Sequence, residues 1–127
     1  MTVHNDVYIS KALADYLEAI YTISKTKSNV RTTDIALKLG ISKPSVNRAV
    51  NSLKKYGLVT HEPYGVIILT EKGLSIGDSV SRRHRMIKEF LINVLRLTDK
   101  EADKEACQLE HNISQSTVEK MKLYMEH

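Results

Sequence analysis

The 127-residue chain is 42% apolar and 27% charged, with 5 Gly and 2 Pro, a balance that excludes a disordered, collagen-like or low-complexity polypeptide. It amounts to about one ordinary domain, and no apolar run approaches the roughly 20 residues that span a bilayer. Its net charge of +4 is uneven: residues 1–97 hold 15 Lys+Arg against 8 Asp+Glu (+7), and residues 98–127 hold 4 against 7 (−3), which fits separate surfaces for a polyanion and for cations or a partner, or a plain solvated exterior.

Apolar side chains at Ile9, Ala12, Leu13, Tyr16, Leu17, Ile20 and Ile23 recur at helical spacing and predict a first helix over residues 8–24. Lys25 to Asn29 reads as a polar connector. Thr32-Thr33-Asp34 opens a short second helix with Ile35, Ala36 and Leu39 inward, and Gly40 stops it. Ser42 caps a third helix, whose first turn tolerates Pro44; Val46, Ala49, Val50 and Leu53 form its buried stripe, and Gly57 ends it. The period then changes, and residues 58–61 and 66–69 read as two strands joined by the turn Glu62-Pro63-Tyr64-Gly65. Thr70 caps a long helix running to about Leu97, with Leu74, Gly77, Val80, Ile87 and Leu91 as its inner stripe. Thr98-x-x-Glu101 and Ser116-x-x-Glu119 are capping-box patterns that open two more helices.

Helix, short turn, helix, then a two-stranded hairpin is the order of a winged helix-turn-helix. With its apolar stripe inward, the third helix turns Lys43, Ser45, Asn47, Arg48 and Asn51 outward, all donors suited to phosphates or base edges and none acidic. Arg48 suits a guanine edge and Asn47 or Asn51 an adenine edge. Lys43, Lys54 and Lys55 suit phosphates, as do Arg31 and Thr32 ahead of the second helix, and Pro44 lies within the same DNA-facing first turn. The tip of the hairpin carries no Lys or Arg, so wing contact with DNA is not expected.

Cys107-x-x-Glu110-His111 places a thiolate, a carboxylate and an imidazole at i, i+3 and i+4, which is one helical face, with Asp103 a turn earlier. Ala102, Ala106, Leu109 and Ile113 form the neighbouring stripe that packs. Asp15 and Glu18 sit at i, i+3 beside the stripe of the first helix, and His84 interrupts the stripe of the long one. Each has an ordinary explanation: solvated acids, a satisfied core histidine, a small buried thiol. Their combination is a metal-site arrangement. Because Cys107 is the single cysteine, no intramolecular disulfide forms, and a reducing cytoplasm is expected. Asp6, Asp15 and Glu18 break up the apolar positions of the first 25 residues, so no signal peptide is expected.

In the stretches Asp15-Tyr16-Leu17-Glu18-Ala19-Ile20-Tyr21, Asp34 to Gly57, Arg83-His84-Arg85 and Glu105-Ala106-Cys107-Gln108-Leu109-Glu110-His111, the chain resembles the iron- and manganese-dependent repressors, the family of the diphtheria toxin repressor and the manganese transport regulators. The resemblance implies a mainly α-helical protein, with a winged helix-turn-helix DNA-binding domain over residues 1–70 and a helical dimerisation and metal-binding domain over residues 71–127. Carried over by position, Asp15, Glu18, His84, Glu110 and His111 match the manganese branch, and Cys107 matches the iron branch. Lys88 and Asp103 replace a glutamate and a histidine of the iron branch's ancillary site, which puts that site in doubt. The chain is expected to lack the SH3-like third domain of the longer members.

Carboxylates favour hard Mn(II), whereas a thiolate favours Fe(II), Co(II) or Zn(II). The expected corepressor is Fe(II), with Mn(II) close behind, while Co(II), Ni(II), Zn(II) and Cd(II) are expected to bind in vitro. The resemblance further implies a homodimer on an inverted-repeat operator in double-stranded DNA, controlling metal-uptake genes, with no membrane partner. Met86, Phe90 and Val94 are apolar positions left over for the dimer contact. A winged-helix regulator that senses oxidation through Cys107, or a small organic ligand, is the rival reading, although the thiol has no resolving partner in its own chain. A purely structural metal site is a third. A metalloenzyme is not expected, since no His-Glu-x-x-His motif is present and no general base is left over.

Overall fold

The computed structural model describes residues 2–4, 7–62 and 65–126. Strands β1 (Thr2–His4) and β2 (Val7–Ile9) form an antiparallel hairpin, with Val3 opposite Tyr8. Residues 8 and 9 are therefore strand, not the predicted start of a helix. Helix α1 (Lys11–Ser24) begins where Ser10 Oγ accepts from Leu13 N at 3.1 Å, a cap that contributes about 1 kcal/mol. Ala14, Leu17, Ala19, Ile20 and Tyr21 are its buried residues, and the predicted Ala12 is exposed.

Strand β3 (Val30–Arg31) pairs with β5 (Val66–Leu69), and β5 pairs with β4 (Val59–His61), giving an antiparallel sheet in the order β3-β5-β4. The two C-terminal strands match expectation, while β3 lies where a plain connector into the second helix was expected. Pro63 and Tyr64 of the predicted turn lie outside the described residues. Between β3 and β4 lie α2 (Thr32–Leu39) and α3 (Lys43–Lys55), which pack on each other and on α1. Asp34 begins α2 by accepting from Arg31 N at 2.9 Å and from Lys27 Nζ at 2.7 Å. The Lys27 hydrogen bond first, then the Arg31 amide, hold its carboxyl below the usual 3.8. Gly40 ends α2 at φ 66°, a left-handed turn that side chains with a Cβ resist. Ser42 then caps α3 by accepting from Ser45 N at 3.3 Å, with Pro44 in the first turn, where its missing N–H costs nothing.

Helix α4 runs Glu71–Asn93 and stops four residues before the predicted end. Arg96 takes φ 63° there, and Leu97 N bonds back to Leu91 O at 3.0 Å. No glycine marks this stop. The inner stripe of α4 also differs from the prediction: Gly73 and Ile76 are buried and Leu74 is 51% exposed. Helix α5 (Asp99–Leu109) opens on the Thr98/Glu101 capping box as expected. Helix α6 (Gln115–Glu126) is capped by Ser114, whose Oγ accepts from Thr117 N at 3.1 Å, and not by Ser116. Among the described residues no helix is long and apolar enough to cross a membrane.

The chain divides within α4 into two compact units, Met1–Ser79 and Val80–His127. The core of the first includes Leu17, Ile20, Ile35, Val46, Val50, Leu53, Leu58, Ile67 and Ile76. The second packs Ile87 and Leu91 of α4 against Ala102 and Ala106 of α5 and Val118 of α6, with Met86, Leu97, Leu109 and Ile113 around them. Ala102 and Ala106 of α5 are fully buried within that cluster.

Candidate metal centre and reading helix

In the second unit the sequence motif straddles the end of the helix that was expected to carry it. Helix α5 stops at Leu109, so Cys107 is helical, Glu110 is the C-cap (φ −58°, ψ −26°) and His111 lies in the following turn. The i, i+3, i+4 face is therefore only partly helical. A carboxylate at this position meets the negative end of the helix dipole and favours a cation beside it.

Glu110 is the only buried polar or charged residue among the described residues, at 2% exposure. Its Oε2 is 3.4 Å from His84 Nδ1 and its Oε1 is 3.5 Å from His111 Nε2, both longer than a hydrogen bond. Neither oxygen accepts a hydrogen bond from any described residue. A buried carboxylate left so is costly unless a cation completes it. Ligand atoms that share one first-row ion, with bonds of about 2.1 Å, lie roughly 3–3.5 Å apart, and both separations here fall in that range. The residues therefore fit a divalent metal ion.

His84 reaches this point from α4, where it is half-buried, and its Nε2 lies 2.9 Å from Asp103 Oδ1. Cys107 is also half-buried, one turn before Glu110. Asp15 and Glu18 stand one turn apart on α1 in the first unit, both half-buried.

Arg83 holds the turn that carries Glu110 and His111, a role the sequence did not disclose. Its Nε donates to Glu110 O at 2.6 Å, Nη1 to Gln115 Oε1 at 2.6 Å, and Nη2 to Ile113 O. Burial draws the guanidinium pKa down, and the Glu110 charge draws it back up. The only available signal was a cation interrupting a half-buried stretch of α4. Arg83→Lys is expected to cost about 2 kcal/mol in urea denaturation, because an ammonium cannot span three acceptors as a planar fork does. A loss below about 0.5 kcal/mol would remove the clamp.

In the first unit α3 presents the predicted face. Lys43, Pro44, Asn47, Arg48, Asn51, Lys54 and Lys55 are exposed, Ser45 and Thr32 are half-buried, Arg31 is exposed, and Val46, Ala49, Val50 and Leu53 are buried. Ser45 Oγ accepts from Arg48 Nη2 at 3.1 Å, which steadies the guanidinium along the helix. The Thr32 hydroxyl donates to Asn47 Oδ1 at 3.2 Å.

Residues 9–67 match the family model of the iron dependent repressor N-terminal DNA binding domain, and residues 70–127 that of the iron dependent repressor metal binding and dimerisation domain. The chain is 39% identical over 119 residues to an uncharacterized HTH-type transcriptional regulator of Methanocaldococcus jannaschii, covering 93% of this chain and 95% of that protein. It is 31% identical over 110 residues to the HTH-type transcriptional regulator MntR of Shouchella clausii, covering 87% of this chain and 76% of that protein. The solved structure of the manganese regulator SloR superposes with a TM-score of 0.80 at 34% identity, over 90% of this chain and 53% of that one. The chain thus spans about half the length of that solved relative.

Proposed function

Because the chain belongs to the iron-dependent repressor family, we propose that it is a DNA-binding transcriptional repressor of metal-uptake genes that takes Fe(II) or Mn(II) as corepressor. It is a regulator and not an enzyme, and a homodimer on an inverted-repeat operator in the reducing cytoplasm. Residues 1–70 bind DNA in this reading, and residues 71–127 bind metal and dimerise. The observation that carries the proposal is Glu110, a buried carboxylate whose oxygens accept no hydrogen bond from the described residues and face two imidazoles at 3.4 and 3.5 Å.

His84, Cys107, Glu110 and His111 hold the ion from the second unit, and Asp15 and Glu18 join them from α1. When bound, the ion supplies the positive charge that this acidic set lacks. Without it the carboxylates repel one another, and the DNA-reading half of each protomer samples many positions. With both sets engaged, the two α3 helices of a dimer keep a separation that matches half-sites about one or more turns of DNA apart. Linkage of this kind is typically ~1–3 kcal/mol, or about 5–150-fold in DNA affinity. The thiolate of Cys107 draws the preference toward Fe(II), and the carboxylates of α1 keep Mn(II) close.

On α3, Arg48 reads a guanine edge and Asn51 an adenine edge, since Asn47 Oδ1 already accepts from Thr32. Lys43, Lys54, Arg31 and Thr32 meet phosphates. Arg48→Ala is expected to cost about 1–3 kcal/mol and to relax specificity at one base pair, whereas Lys54→Ala weakens all sequences alike and lowers the salt slope by about 0.9. Binding titrations at several salt concentrations on operator and scrambled DNA separate the two. Equal losses on both DNAs for Arg48→Ala would remove it from base reading.

The test of the whole reading is anaerobic binding to DNA upstream of the protein's own gene or of neighbouring transport genes, in chelator, Mn(II) or Fe(II) at fixed salt. Tightening of about tenfold or more by either ion is expected. Equal affinity in chelator overturns it and turns attention to oxidation of Cys107.

A further inference from the structure

His84 lies between two carboxylates of its own unit. Its Nε2 is 2.9 Å from Asp103 Oδ1, and its Nδ1 is 3.4 Å from Glu110 Oε2. Asp103 is in turn 3.5 Å from Lys88 Nζ, which also stands 3.4 Å from Asp99 Oδ1. Lys88 is one turn beyond His84 on α4, so a fixed cation braces the side of Asp103 away from the cluster.

The chemistry of these groups leaves one arrangement. Asp103 is exposed to solvent and has the Lys88 ammonium 3.5 Å away, the surroundings of an ionised carboxylate, which only accepts. At 2.9 Å the proton between them must then reside on His84 Nε2. An imidazole that binds a cation must be neutral and has one N–H; with that proton on Nε2 its lone pair is on Nδ1, the nitrogen on the Glu110 side. An ammonium 3.5 Å from Asp103 opposes a second cation on that carboxylate, so Asp103 orients a ligand and does not act as one.

We propose that Asp103, braced by Lys88, is a positioning residue that holds His84 in the Nε2–H tautomer with Nδ1 presented to the metal. This rests on the metal-corepressor reading for its purpose, though not for its geometry. Partners of this kind, outside the ligand set, typically account for about 10–100-fold in metal affinity. Asp103 is exposed on α5, so replacing it leaves the packed face of that helix intact.

The experiment has two arms on the full chain. Nitrogen NMR of the His84 ring in metal-free protein, followed upward in pH until the ring is neutral, reads the tautomer directly. Mn(II) uptake, followed by the electron paramagnetic resonance of the free ion, reads affinity. Wild type is expected in the Nε2–H form; Asp103→Ala is expected to mix the tautomers and weaken Mn(II) about 10–100-fold, and Asp103→Glu to restore both. A wild-type Nδ1–H tautomer overturns the proposal, as does an Asp103→Ala variant with unchanged tautomer or with affinity within about threefold. If wild type takes up no Mn(II) or Fe(II) at all, the corepressor reading fails, and the tautomer arm still decides the role of Asp103.

Discussion

Glu110→Gln is expected to stabilise the metal-free protein and to abolish the stabilisation that metal brings. The side chain is 2% exposed, ends α5 at the negative pole of the helix, and accepts no hydrogen bond from the described residues. A neutral amide of the same shape removes a buried charge whose desolvation is incompletely offset, which relieves about 1–3 kcal/mol. Wild type gains about 4.1 kcal/mol when the ion stands at a thousand times its dissociation constant, more than the buried charge costs, whereas the variant has lost a ligand. The order of stability therefore reverses: the variant melts higher in chelator, and wild type melts higher in Mn(II). Thermal unfolding in both conditions, at one fixed pH, measures this. A variant that melts lower in chelator and keeps the full increment from Mn(II) would take Glu110 out of the site. The same variant is expected to bind DNA equally with and without metal.

Gly73→Ala is expected to cost about 3 kcal/mol or more, although helix propensity alone predicts a gain of about 1 kcal/mol. Gly73 lies in the first turn of α4, and a Cβ built there would meet Leu58 O at 1.9 Å and Leu58 C at 2.9 Å. Neither atom can yield, because Leu58 is fully buried and its carbonyl accepts from Thr70 N at 3.1 Å. Thr70 ties the same junction twice more, donating from Oγ1 to Gly57 O at 2.7 Å and accepting there from Gly73 N at 3.1 Å. The added methyl would push the start of α4 away from the strand that follows α3. Urea denaturation measures the loss. Leu74→Ala, at the exposed neighbouring position, serves as the control and is expected to change stability by less than about 1 kcal/mol. Equal, small effects of the two substitutions would show that the junction has slack.

The features read without a structure are the ones written in consecutive residues. The stripe of α3 and the caps at Ser42 and Thr98 are local patterns, since a helix brings i, i+3 and i+4 together whatever surrounds it. The same holds for the pattern of Cys107, Glu110 and His111 and for the outward basic face of α3, and both family models match the regions that contain them. Local reading went wrong where strand pairing or a competing cap decided the outcome. Residues 8 and 9 have helical spacing, yet they pair with β1. Val30 and Arg31 are too short to announce a strand and become one only because Ile67 and Val66 stand opposite. Ser116 has the spacing of a cap, but Ser114 lies closer to the turn that Arg83 clamps, and the helix starts there.

At the candidate site, residue types and spacing were enough to nominate a thiolate, carboxylates and imidazoles as candidate ligands, because donor chemistry belongs to the side chain itself. Three properties depended on folding: that Glu110 is buried beyond the end of its helix, that Arg83 holds its turn, and that Asp103 selects which nitrogen of His84 faces it. The last two are contacts between residues 27 and 19 positions apart. Such contacts leave no periodic trace in the chain, and they exist only once α4 and α5 have packed around Ile87, Leu91, Ala102 and Ala106.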